Sequence, residues 1–101
     1  MTKFTRDEVA TELTKVLTDK GLLIEAGFAA FRHFVIPPDA PHKQVLLVRH
    51  AYMAGAEHLF SSIMNIMEEG AEPTPADMRR MDLIYKEIMQ WREHIKQLTE
   101  Q

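Results

Sequence analysis

Apolar residues recur along this chain at steps of three and four, and no segment shows the strict two-residue alternation of a half-buried strand. The pattern predicts an all-α protein. Val9, Leu13, Val16 and Leu17 share one face of a first helix over about residues 5–20. Thr5-Arg6-Asp7-Glu8 opens it as a capping box, and Gly21 stops it. A second helix over about residues 22–36 gathers Leu23, Ile24, Gly27, Phe28, Phe31, Phe34 and Val35 on one side. Its opposite side carries Glu25, Ala29 and Arg32, and the β-branched pair Val35-Ile36 leaves room for an extended end. Pro37-Pro38 must terminate it, because proline lacks the N–H and disfavours helix in the residue before it.

Asp39 is then placed to cap a third helix, with Pro41 tolerated in its first turn. Nothing interrupts the helical pattern before Gly70, so this helix is expected over about residues 40–69, roughly 45 Å at 1.5 Å per residue. Glu72-Pro73-Thr74-Pro75 is a short link. Thr74 caps a fourth helix over about residues 75–98, Pro75 takes its first position and Asp77 completes a box-like start. Met81, Ile84, Ile88, Trp91, Ile95 and Leu98 mark its apolar face. A short link between two long helices predicts a long antiparallel helical hairpin. With the two shorter N-terminal helices it makes a small helical bundle, one domain over residues 1–101.

The apolar arc of the third helix spans about half of its circumference by a 100° wheel, wider than one neighbouring helix covers. Either this helix is central to a small bundle, or part of its arc faces another subunit. Ala51 and Gly55 are four apart on that helix and would let another backbone approach closely. The charge distribution likewise admits two readings. From Arg32 to Arg49 the chain carries Arg32, Lys43 and Arg49 against Asp39; from His50 to Asp77 it carries Glu57, Glu68, Glu69, Glu72 and Asp77 with no Lys or Arg. The acidic stretch is either a solvated tip, or the complementary halves meet in a homo-oligomer, most simply a dimer. A net charge of −3 argues against generic nucleic-acid binding.

Two arginines interrupt the apolar arcs. Arg49 falls among Val45, Tyr52, Ala56 and Phe60 of the third helix, and Arg92 inside the arc of the fourth. Two readings stay open. In one, Arg49 pairs with Glu8, Glu12 or Glu25 and Arg92 extends to water. In the other, the two guanidinium groups line an anion pocket with Tyr52, adjoined by His50, because a planar fork bonds two phosphate oxygens at once.

Other chemistry is not indicated. The absence of cysteine excludes disulfides and thiolate metal sites. His33, His42, His50, His58 and His94 share no face, and neither Glu-x-x-His nor His-x-x-x-His pairs occur. There is no Gly-rich phosphate loop and no G-x-S-x-G. No metal, cofactor or enzymatic activity is expected. The seven methionines fall mostly on or beside the apolar arcs, as packing residues would. No apolar run approaches the ~20 residues of a membrane span, and residues 1–13 lack the apolar core of a signal peptide; the expected location is cytoplasmic.

The run IPPDAPHKQ, followed by HAYMAGAEHLFSSIM and GAEPTPADMRRMDLI, resembles small, mostly uncharacterised helical proteins of bacteriophages and prophages, over roughly residues 27–90. The resemblance implies expression inside a bacterial host cell and raises the expectation of a host protein as partner. It transfers no catalytic residue. The favoured function is a non-enzymatic phage-type interaction protein, acting on a host protein or through self-association. The alternatives are an oligomeric binder, or sponge, of a small anionic ligand such as a nucleotide, through Arg49, Arg92, Tyr52 and His50, and a minor nucleic-acid-associated role.

Overall fold

A computed structural model describes residues 5–99. The protein is all-α, with four helices and no strand among the described residues: α1 (Arg6–Asp19), α2 (Leu23–Val35), α3 (His42–Ile66) and α4 (Pro75–Thr99). Its contacts divide it into two compact units, Met1–Leu59 and Phe60–Gln101, so α3 begins in the first and ends in the second.

In the first unit, α1 starts as its capping box predicts. Thr5 Oγ1 accepts from the Glu8 amide at 3.1 Å, and Glu8 Oε2 accepts from the Thr5 amide at 3.4 Å. Two amides that normally leave the last carbonyls of a helix unpaired are turned back onto them: Leu22 N–H donates to Leu17 O at 2.8 Å and Gly21 N–H to Thr18 O at 2.9 Å. This closure needs a left-handed residue, and Gly21 supplies it at φ 72°. α1 itself buries no residue.

α2 lacks a side-chain cap and ends where Ile36 turns extended ahead of the two prolines. Its Phe28 and the Val45 of α3 are the buried apolar side chains among the described residues. Tyr52 of α3 packs edge-on against Phe28, ring centres 5.6 Å apart, and lies 5.8 Å from Phe31. This aromatic group ties α2 to α3.

α3 is shorter than expected at both ends. Asp39 does not cap it: Ala40 N–H closes a turn onto Pro37 O, and Pro41 O is the carbonyl that accepts from Val45 N–H at 3.1 Å. At the other end the backbone of Met67 still bonds to Ile63 O, but the amide of Glu68 donates to Asp77 Oδ1 at 3.0 Å. A side chain nine residues further on has taken the amide that would have continued the helix, so α3 stops at Ile66 rather than near residue 69.

The second unit is organised by the same aspartate. Asp77 N–H donates to Thr74 Oγ1 and Asp77 Oδ2 accepts from Thr74 N–H, both at 3.1 Å, which is the reciprocal start expected for α4. Ile63, Ile66, Met67, Pro73, Met78 and Met81 enclose a small apolar hollow of about 160 Å³ beside it.

Candidate functional site

Arg49 does not lie in the middle of a buried face. Its side chain is 40% exposed, and its Nη2 donates to Glu25 Oε2 at 2.6 Å. α2 covers α3 on the side of Val45 and Tyr52, which places Arg49 at the edge of the contact, within reach of both water and α2. Glu25 is one of the three acids expected as its partner. The guanidinium therefore has a carboxylate partner within its own unit.

Tyr52 lies one turn further along α3 and also reaches α2. A Cβ built on Gly27 would overlap the Tyr52 hydroxyl and sit 3.5 Å from Cζ. Only glycine leaves the ring its place between Phe28 and Phe31. The close approach to a helix backbone seen here is that of the Tyr52 side chain at Gly27. Nothing comes within 4 Å of a Cβ built on Gly55. Arg49 and Tyr52 are brought together against one face of α2. His50, one residue from Arg49, points to the exposed side of α3.

Arg92 belongs to the second unit. It is exposed on α4 and forms no ion pair among the described residues. Arg79 is exposed, whereas Arg80 is engaged: its Nη1 donates to Glu68 Oε1 and to Ile66 O, both at 3.3 Å, and lies 3.9 Å from Asp77 Oδ1. Asp77 is only 6% exposed. The Glu68 amide, then the Thr74 amide, hold its carboxyl below the ordinary aspartate range, helped by the Thr74 hydroxyl and the Arg80 charge and opposed by desolvation. Sequence reading identified Asp77 as a helix start but not as the residue that also ends α3. That second role joins residues nine apart through a link with no local pattern to reveal it.

The remaining feature is apolar. Large hydrophobic side chains stand exposed on every helix, among them Leu13 on α1, Phe34 on α2, Leu47 on α3 and Trp91 on α4. No helix among the described residues is long and apolar enough to cross a membrane. No cluster of three His, Cys, Asp or Glu among the described residues has metal-binding geometry. Comparison with family models, curated proteins and solved structures returns no match.

Proposed function

We propose that this protein is a non-enzymatic helical interaction protein whose faces are completed by other protein surfaces, in the first place by its own copies. One observation carries the reading. Among the described residues the buried apolar side chains are Phe28 and Val45, while every helix leaves large apolar side chains in water. Burial of such side chains contributes about 1.5–3 kcal/mol each and ordering a residue's backbone costs about 1–2 kcal/mol, so two of them do not hold a domain of this size. Small chains with this deficit are completed by oligomerisation. A second copy is the surface always present in stoichiometric amount.

The charged groups support the same reading. Arg49 is bonded to Glu25, and Asp77 and Arg80 tie the start of α4 to the end of α3. A small anion held by Arg49, Tyr52 and Arg92 would have to displace Glu25 first. A bacteriophage or prophage origin belongs to the proposal as well, on the Pro37-Pro38-Asp39-Ala40-Pro41 entry and the Gly70-Ala71-Glu72-Pro73-Thr74 link. Sedimentation equilibrium of the full chain from micromolar to hundreds of micromolar tests it. A reversible, concentration-dependent rise in mass with rising helix content is expected. A fully helical, cooperatively folding monomer throughout that range would sink the proposal.

A further inference from the structure

The apolar face of α4 has a more exact period than a surface helix requires. Met81, Ile84, Ile88, Trp91, Ile95 and Leu98 are spaced three, four, three, four and three apart. This is the 3.5-residue repeat of a coiled-coil seam, with Met81, Ile88 and Ile95 at a and Ile84, Trp91 and Leu98 at d. A helix that packs once on a globular core shows a broader stripe with a period of 3.6. The seam is open to solvent over its C-terminal half: Trp91 is 60% exposed, and Ile88, Ile95 and Leu98 are exposed too, whereas Ile84 is half-buried and Met81 borders the hollow beside the end of α3. Asp82 and Lys86 occupy the outer b and f positions and are bonded to each other at 2.7 Å, away from the seam.

We infer that α4 pairs in parallel with the α4 of a second copy as a two-stranded coiled coil. This rests on the self-association proposed above and names its surface. Charge selects the occupant and the direction. In this register Glu87 is at g and Arg92 at the following e, five residues on. In a parallel dimer those positions face each other across the seam, so Glu87 of each copy meets Arg92 of the other, twice by symmetry. Both residues are exposed, and Arg92 has no ion-pair partner among the described residues. An antiparallel pair would set Arg92 opposite Tyr85 and Glu87 opposite His94 and lose both ion pairs. Ile88 and Ile95 at a with Leu98 at d follow the two-stranded preference, while Ile84 and Trp91 at the other d positions do not. Pairing at this seam also accounts for Arg92 interrupting the apolar arc of α4: its stem covers the seam and its charge answers the neighbouring copy.

Charge exchange tests this without disturbing the seam itself. Glu87→Arg alone, or Arg92→Glu alone, replaces two attractive contacts by two repulsive ones, and each variant is expected to dimerise roughly tenfold more weakly. Mixed in equal amounts, the two variants restore both opposite-charge contacts and should form a heterodimer as tight as the original. Direction is read separately. The chain has no cysteine, so Leu98→Cys introduces a single thiol; oxidation should link two copies through it if the helices run parallel. A wild-type chain that stays monomeric would overturn self-association altogether. A wild-type dimer unaffected by either charge variant, or one whose Leu98→Cys form does not cross-link, would overturn the α4 seam and leave self-association standing.

Discussion

Gly27 offers the sharpest test of how α2 and α3 are held. Replacing it by alanine puts a methyl group where the Tyr52 hydroxyl lies. Two effects oppose each other. Alanine is better than glycine inside a helix by about 1 kcal/mol, and Gly27 sits well within α2. Against this, the hydroxyl must move, and Tyr52 is confined by Phe28 and Phe31, ring centres 5.6 and 5.8 Å away. Overpacking of this kind costs roughly 1–3 kcal/mol. The clash wins by about 1 kcal/mol, which lowers Tm by about 5 °C for a chain of this length. The hydroxyl alone is responsible, because the next ring atoms, Cζ at 3.5 Å and Cε1 at 3.9 Å, are at ordinary contact distance. In a Tyr52→Phe background Gly27→Ala should therefore become stabilising by up to about 1 kcal/mol, through the helix preference that remains. The sign change corresponds to a coupling of about 2 kcal/mol between the two positions, within the range for touching residues. Circular dichroism at 222 nm, with urea and heat, on all four proteins at one fixed concentration measures it. If Gly27→Ala has the same effect in both backgrounds, Tyr52 does not rest on Gly27 and the account of the α2–α3 contact fails.

Two further outcomes follow from the charged groups. Asp77 has its carboxyl held below the 3.8 of an unperturbed aspartate, so its contribution is present above that value and is lost as pH falls through the depressed folded one. Asp77→Asn should be less stable than wild type at pH 7, with the gap narrowing below about pH 4; urea midpoints at pH 7 and pH 3 show it, and a gap of equal size at both would contradict the role given to the charge. The Arg49–Glu25 pair is half-exposed on both sides. Glu25→Gln should cost no more than about 1 kcal/mol, less in high salt, and phosphate or nucleotides should not stabilise either protein. Ligand-dependent stabilisation of Glu25→Gln that Arg49→Met abolishes would restore the anion-binding alternative.

How far local chemistry reaches is visible element by element. The capping box at Thr5, the glycine stop at Gly21, the proline break after Ile36 and the Thr74-Pro75-Asp77 start all act within a few residues, and each was legible in order along the chain. The ends of α3 were not. Its start depended on which carbonyl, Asp39's or Pro41's, took the first helical bond, and its end on Asp77 claiming the Glu68 amide. The same division runs through the candidate site. That Arg49 needed a partner followed from its place beside apolar residues, and Glu25 was among the acids named. The half-open position of the pair, and the glycine on which Tyr52 rests, came from the way one helix lies on another.

By itself, then, the order of residues determined the helical class, the punctuation between helices and the periods of their apolar faces, because backbone geometry and capping are short-range. Only the tertiary structure decided which stretch of each face is covered, which amide a distant carboxylate takes, and which arginine has an acid beside it. Those outcomes depend on distances between residues far apart in the chain, which composition and spacing do not contain.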